Sequence, residues 1–307
     1  MQNAPWIHYT IKTRFYRSAP LIQNSVDNEF LYLMTTSFYR GRIAPSPTGF
    51  LHLGHAKTFW SAYLRCQDSK GTLIYRDEDI DSKRCRTEFS IAAEEDLKRL
   101  GIRWDEGPIR QSERLPLYLR ALEKLALMGC VYPCKYSRKE INQYAESHLS
   151  SQGEPLFPAG LRSDTKGRTL PLNQHVNWRF RVPDANSVSF EDNHLGQQTF
   201  QSMQDFGDFL VWRKDGWPTY ELAVVVDDAD MGITEVVRGE DLLTSTARQI
   251  LVYEALGLKQ PEFYHENLVK DESGNRLSKR KDSLALRTLF KKGHSLESLR
   301  QMWAMQS

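Results

Sequence analysis

The chain has few cysteines and no long apolar run, and its charges almost cancel. Only four cysteines stand among 307 residues, and no two have Cys-x-x-Cys spacing. This spacing gives no sign of a disulfide framework, so we expect a reducing, cytoplasmic location. No apolar stretch is long enough to span a bilayer, so we expect no membrane partner. The net charge of +2 excludes a general polycation.

The first 37 residues have a composition of their own. Residues 1–26 contain three basic residues and no acidic residue, which resembles a weak organelle-targeting leader. Two other interpretations remain open: a disordered tail, or a reading frame that opens too early, with Met34 as the true start. We favour a disordered or non-native extension over residues 1–37.

Strand and helix signals then alternate along the chain. Residues 39–44 and 73–76 have the composition of strands, and apolar residues fall at helical spacing from Leu51 to Arg65. A second helix ends near Leu100, and residues 112–129 form an amphipathic third. This alternation predicts an α/β domain with a Rossmann-like parallel sheet.

The alternation is interrupted and later resumes. Residues 150–176 are polar and rich in glycine and proline, residues 176–182 alternate with period two, and Asp215-Gly216 marks a hairpin turn. An apolar run ending in acids occupies 223–228, and a helix follows from Ser245 to Gly257. We therefore predict a subdomain inserted into a parallel-sheet domain. The predicted boundaries are 38–130 and 216–257 for the catalytic halves, 131–215 for an inserted α+β subdomain, and 258–307 for a helical segment.

Two short segments carry residues suited to nucleotide chemistry. In "RIAPSPTGFLHLGHAKT" (42–58), two histidines flank Gly54 where a helix begins. Backbone N–H groups at a helix start bind phosphate, and a glycine lets a ligand approach the backbone. In the basic loop "DESGNRLSKRKD" (271–282), Lys279 could neutralise a triphosphate. Taken singly, each segment could also be a surface feature without function.

Together with two further blocks, these segments resemble a known family. "APSPTGFLHLGH", "RDEDID" (76–81), "YELAVVVDDADMGITEVVRGEDLL" (220–243) and "RLSKR" are similar, in this order, to the glutamyl branch of class I aminoacyl-tRNA synthetases. The resemblance covers roughly residues 40–285. The chain stops 27 residues after Arg280, where full glutamyl-tRNA synthetases continue into an anticodon-binding domain. In length and motifs it looks like the short glutamyl-queuosine tRNA(Asp) synthetases.

The resemblance implies roles for particular residues. It implies glutamate contacts by Arg42, Ala44, Ser46, Glu78, Tyr220 and Arg238, and ATP contacts by His52, Gly54, His55, Arg276, Ser278 and Lys279. His52, His55 and Lys279 would be catalytic. Glutamate carries two carboxylates and one ammonium, so its site needs at least two cations and one anion. Alternatively, Arg42 and Arg238 could form structural ion pairs with Glu78 or Glu240, and Tyr220 could be a core aromatic.

The implied reaction uses ATP with Mg²⁺ to activate L-glutamate, without tRNA, and transfers it to queuosine in the anticodon of tRNA(Asp). We expect a monomer. Two other functions remain open: a truncated glutamyl-tRNA synthetase that charges a tRNA 3′ end, and a non-catalytic RNA-binding relative. Five intact residues argue against a non-catalytic relative, since RNA binding alone does not need them. They are His52, His55, Glu78, Arg238 and Lys279.

The sequence departs from the family at a zinc site that many short members carry. Cys134 stands at the first ligand position, but Tyr136, Phe157 and Leu161 stand where the resemblance implies Cys, Tyr and Cys. Cys130 lies four residues before Cys134, and no further pair completes four ligands. We therefore predict that the protein holds no zinc.

Overall fold

A computed structural model describes residues 38–144, 149–151, 153–164, 172–173, 175–269 and 285–305. The strands are β1 (Arg40–Ile43), β2 (Thr72–Asp77), β3 (Glu106–Arg110), β4 (Val131–Cys134), β5 (Asn177–Phe180), β6 (Ser187–Asp192), β7 (Gly196–Gln201), β8 (Phe209–Trp212), β9 (Glu235–Gly239) and β10 (Glu262–Glu266). The helices are α1 (Leu53–Asp68), α2 (Thr87–Arg99), α3 (Leu115–Leu127), α4 (Arg138–Tyr144), α5 (Tyr220–Asp230), α6 (Leu243–Leu256), α7 (Leu286–Lys291) and α8 (Leu296–Met305).

Parallel pairing dominates the part of the fold that carries the motifs. Strands β1, β2 and β3 pair in parallel, and so do β9 and β10. The two groups meet beside β1, because the backbone N–H of Thr234 donates to the carbonyl oxygen of Arg40 at 2.9 Å. Helix α1 crosses from β1 to β2 and also packs against β9. The carboxyl ends of β1, β2 and β9 therefore open toward one crevice, the usual place for a ligand in such sheets. The predicted Rossmann-like α/β class is confirmed.

The middle of the chain contributes two kinds of strand. Strands β4, β5 and β8 form a separate antiparallel sheet. Strands β6 and β7 form a hairpin, and β6 also pairs in parallel with β10 through Asp192 and Phe263. Part of the predicted insertion thus extends the main sheet, because the end of β6 bonds to β10. The boundaries of the inserted subdomain stay a prediction.

Local features agree with the sequence patterns. The chain reverses after β8 in a tight turn in which Gly216 has a φ of +87°, a backbone conformation that favours glycine. The apolar run 223–228 lies inside the buried helix α5, between the antiparallel sheet and α6. None of the helices in the described part of the chain combines the length and apolar character needed to cross a bilayer.

Candidate functional site

A cavity of about 310 Å³ lies at the carboxyl ends of the parallel strands. Arg42 enters it from β1, Glu78 from the residue after β2, Arg238 from β9, and Tyr220 from the first turn of α5. The wall also includes Ala44, Ser46, His52, Gly54 and His55. Every predicted site residue that the structure describes therefore lines this one cavity. Arg276, Ser278 and Lys279 lie outside the described residues.

The loop that follows β1 is held against the acidic segment that follows β2. The carbonyl oxygen of Pro45 accepts the backbone N–H of Glu78 at 3.0 Å. Glu78 is 7% exposed, and its side chain accepts a hydrogen bond from Nη2 of Arg76 at 3.0 Å. Burial raises the pKa of Glu78, although Arg76 and Arg42 oppose the rise. A cation that entered the cavity would therefore meet a partly desolvated carboxyl group.

A buried charge network supports the base of the cavity. Arg76 is fully buried, and its Nη1 donates to Asp228 of α5 at 2.6 Å. Burial alone would lower the pKa of Arg76, but Asp228, Glu78 and Asp227 raise it well above its usual value. Arg42 lies 3.6 Å from the same Asp228 and donates from Nη1 to the carbonyl oxygen of Val237 at 2.9 Å. The network was not predicted from the sequence, although Arg76 and the paired acids of "VVVDDAD" indicate buried charges.

Arg238 is 4% exposed and has neutral hydrogen-bond partners. Its Nη1 donates to the Tyr220 hydroxyl at 3.3 Å, its Nη2 to Oγ1 of Thr246 at 2.6 Å, and its Nε to Nε2 of His265 at 3.2 Å. Among the residues that the structure describes, Arg238 has no carboxylate at salt-bridge distance. The alternative ion pair with Glu240 is not present, because Glu240 instead accepts the backbone N–H of Leu268.

The two histidines cap helix α1. Nδ1 of His52 accepts the backbone N–H of Gly54 at 3.1 Å, and Nδ1 of His55 accepts the backbone N–H of His52 at 3.2 Å. Their rings stack with centroids 3.7 Å apart. The expectation of open N–H groups at this helix start is therefore wrong in part, because the imidazoles occupy two of them. With Nδ1 as acceptor, a neutral imidazole carries its proton on Nε2.

Gly54 allows the His52 ring to close over the helix start. A Cβ atom on Gly54 would lie 3.1 Å from the ring of His52, which is tighter than most Cβ contacts. The glycine thus makes room for the capping imidazole as well as lining the cavity. The described residues that flank the basic loop also lie at this cavity: Val269 lines it, and Ala285 pairs with His52 in its wall.

A second cavity of about 200 Å³ shares Ser46, Glu78 and Tyr220 with the first. Its wall also includes Cys85 and Gln111. The Gln111 side chain is 1% exposed; its Nε2 donates to Asp227 at 2.7 Å, while its Oε1 has no hydrogen-bond partner in the described structure. The second cavity therefore adjoins the first at Ser46, Glu78 and Tyr220.

Comparison with known proteins identifies the family. The model for the catalytic domain of class I tRNA synthetases (E and Q) matches residues 39–302. The chain belongs to this family. It is 41% identical over 266 residues to the glutamyl-Q tRNA(Asp) synthetase of Nitratidesulfovibrio vulgaris, covering 83% of this chain and 82% of that protein. It is 40% identical over 277 residues to the glutamate–tRNA ligase of Sulfurihydrogenibium sp., covering 85% of this chain and 56% of the ligase.

A solved class I synthetase has the same fold. A glutamate tRNA ligase from Elizabethkingia meningosepticum, crystallised in complex with its amino acid, superposes with a TM-score of 0.69 at 30% identity. The match covers 83% of this chain and 53% of that ligase. The chain thus spans little more than half the length of the glutamate–tRNA ligases that it matches, and most of the length of the glutamyl-Q relative.

The positions of the zinc site that the family resemblance implies have an apolar environment in this protein. Cys134 and Phe157 are buried in a small cluster with Tyr132 and Ile141, and Tyr136 and Leu161 pack against it. Cys130 packs instead against the main core. No group of three or more potential metal ligands occurs among the described residues. The four implied positions do not fit a four-ligand zinc site, since Cys134 is the one thiol among Cys134, Tyr136, Phe157 and Leu161.

Proposed function

We propose that this protein activates L-glutamate with ATP. The observation that carries the proposal is the single cavity in which Arg42, Glu78, Tyr220 and Arg238 meet the histidines that cap helix α1. The two guanidinium groups and the Glu78 carboxylate have the charge pattern opposite to that of glutamate, and Asp241 adds a second carboxylate to the wall.

Arg238 is suited to bind the side-chain carboxylate of glutamate. A guanidinium has five N–H donors, and hydrogen bonds to neutral acceptors account for three of them. Its positive charge is therefore not cancelled by a carboxylate among the described residues. The Tyr220 hydroxyl accepts from Arg238, and burial raises its pKa, so it keeps a proton that it can donate to the same ligand.

Glu78 would bind the α-ammonium group of glutamate, and Arg42 with the Ala44–Ser46 loop would border its α-carboxylate. An oxygen of this carboxylate attacks the α-phosphorus of ATP and forms the mixed anhydride. The bond from that phosphorus to the bridging oxygen breaks, and pyrophosphate leaves. The protein contributes mainly position and charge stabilisation to such a step.

The ATP phosphates would lie toward the start of helix α1. His52 and His55 have Nδ1 engaged with the backbone, which directs the proton of a neutral ring to Nε2 as a donor for phosphate oxygens. We assign Lys279, with Arg276 and Ser278, to the same phosphates, because the described residues flanking their loop line the cavity or pair with His52. Mg²⁺ enters as the metal complex of the substrate ATP.

We further propose that the acceptor is queuosine at the wobble position of tRNA(Asp). The glutamyl-Q relatives support this choice, because they match this chain over 82% and 84% of their own lengths. A hydroxyl of the cyclopentene-diol attacks the activated carbonyl carbon, loses its proton, and AMP leaves. The second cavity would admit the diol, since it adjoins the first cavity at Ser46, Glu78 and Tyr220.

A glutamate–tRNA ligase that charges a 3′ end is the second candidate, because several relatives carry that name. Glutamate-dependent exchange of pyrophosphate into ATP, without tRNA, tests activation. We expect exchange with glutamate and much less with glutamine or aspartate. No exchange with any amino acid would favour a non-catalytic RNA-binding role.

The acceptor needs a separate test. Labelled glutamate is offered with tRNA(Asp) from a strain that makes queuosine and from one that cannot. We expect labelling of the modified tRNA alone, and retention of the label after the 3′-terminal adenosine is removed. Equal labelling of both tRNAs, or loss of the label on trimming, would indicate a 3′-end ligase.

A further inference from the structure

A buried carboxylate links the β6–β7 hairpin to the parallel sheet. Asp192, the last residue of β6, is 2% exposed. Its Oδ1 accepts the backbone N–H groups of His194, Leu195 and His265 at 3.0, 2.9 and 3.2 Å. Its Oδ2 lies 2.6 Å from Nδ1 of His265. Oδ1 therefore accepts mainly backbone N–H groups, while Oδ2 is bonded to the imidazole of His265.

This bond determines the tautomer of His265. Burial and the charge of Arg238 lower the pKa of His265 to about 4, so the ring is neutral at pH 7. Because Nδ1 faces a carboxylate oxygen, the proton of the neutral ring lies on Nδ1, and Nε2 presents a lone pair. Nε of Arg238 donates to this lone pair at 3.2 Å, and Oγ1 of Thr246 lies 2.9 Å from the same nitrogen.

A neutral acceptor next to an arginine differs physically from a carboxylate in the same place. A carboxylate would form an ion pair with Arg238 and compete with an anionic ligand. The imidazole holds Nε of the guanidinium without cancelling its charge, and the compensating charge of Asp192 lies one ring further away. The arginine is thus oriented and still attractive to an anion.

We infer that Asp192 and His265 are a positioning pair that orients Arg238 for a carboxylate side chain and sets the preference for glutamate over glutamine. The inference rests on the proposed function. The contact between Asp192 and His265 could not be predicted from local sequence patterns, because the two residues lie 73 positions apart.

The first test is Asp192→Asn. The amide oxygen can replace Oδ1 and keep the backbone bonds, whereas the amide nitrogen is a donor where Oδ2 accepted. The imidazole then moves its proton to Nε2, opposite the N–H of Arg238, and two donors face each other. We expect the KM for glutamate in pyrophosphate exchange to rise on the order of 10- to 100-fold, with the KM for ATP within about twofold. The preference for glutamate over glutamine should fall.

The matched control is His194→Phe, on the same hairpin. Nδ1 of His194 lies 2.7 Å from the carbonyl oxygen of His265, and its ring stacks on Tyr264. Phenylalanine keeps the stacking and loses a bond to the same strand, so we expect a lower melting temperature with an unchanged KM for glutamate.

A second pair of variants tests whether position 265 must accept a hydrogen bond from Arg238, and this test does not depend on the folding of Asp192→Asn. His265→Gln offers an oxygen near the position of Nε2, whereas His265→Leu offers none. We expect Gln to keep the KM for glutamate within about tenfold of wild type and Leu to raise it further. If Gln and Leu raise the KM for glutamate equally, or if the KM values for glutamate and ATP rise in parallel, Asp192 and His265 do not position Arg238. If wild type shows no glutamate-dependent exchange, the proposed function itself fails, and this inference fails with it.

Discussion

Replacement of Arg238 by alanine tests the centre of the site. Arg238 is 4% exposed, and its guanidinium is held by His265, Tyr220 and Thr246. Because the place is buried, we expect little water to enter when the guanidinium is removed. The side-chain carboxylate of glutamate would then lie in a buried place without a cation. Loss of one partner of a buried charge pair costs about 3–5 kcal/mol. One decade of rate corresponds to about 1.4 kcal/mol, so kcat/KM for glutamate should fall on the order of 10²- to 10⁴-fold.

The assay is pyrophosphate exchange over a range of glutamate concentrations, with ATP affinity measured separately. Arg238→Lys keeps the charge but not the planar fork, and its activity should fall between wild type and alanine. Arg40→Ala is the matched control, because Arg40 is an arginine on strand β1 of the same parallel-sheet region and pairs with Glu106 outside the cavity. A change in kcat/KM of less than about tenfold for Arg238→Ala, in a protein that still melts cooperatively, would refute the role given to this arginine.

Three further predictions concern stability, metal content and the second cavity. Burial raises the pKa of Asp96 to about 6, and its Oδ2 has no hydrogen-bond partner in the described structure. Its ionisation therefore lowers stability as the pH rises from 3.8 to about 6, although Arg287, 3.4 Å from Oδ1, offsets part of the loss. Asp96→Asn should stabilise the protein by about 1–3 kcal/mol at pH 7.5, and the gain should vanish near pH 4. Melting curves at both pH values measure this, and a loss of stability at pH 7.5 would contradict it. Purified protein should contain much less than one zinc per chain, and a chelator should leave its melting temperature unchanged; elemental analysis that finds stoichiometric zinc would reverse this. Cys85→Phe should narrow the second cavity and slow glutamate transfer to tRNA more than it slows pyrophosphate exchange; parallel losses in the two assays would remove the cavity from the acceptor path.

Much of the candidate site was predictable because three of the four family blocks bring a residue to the end of a parallel strand. Arg42, Glu78 and Arg238 follow this rule, since the carboxyl ends of β1, β2 and β9 share one crevice. The strand and helix alternation followed from local periodicity. The prediction was weaker at His52 and His55, because motif spacing does not show that the imidazoles themselves cap the helix.

The sequence by itself determined the chemistry available to this protein: the two arginines, the carboxylate, the paired histidines and the order of strands and helices that carries them. Only the tertiary structure decided which partners surround each charge. Arg76 is paired with Asp228, which lies 152 positions away, whereas Arg238 is held by His265 and has no carboxylate at salt-bridge distance among the described residues. Both are buried arginines, and local periodicity does not distinguish them. Their difference arises from long-range packing, which sets the distance from each guanidinium to a carboxylate.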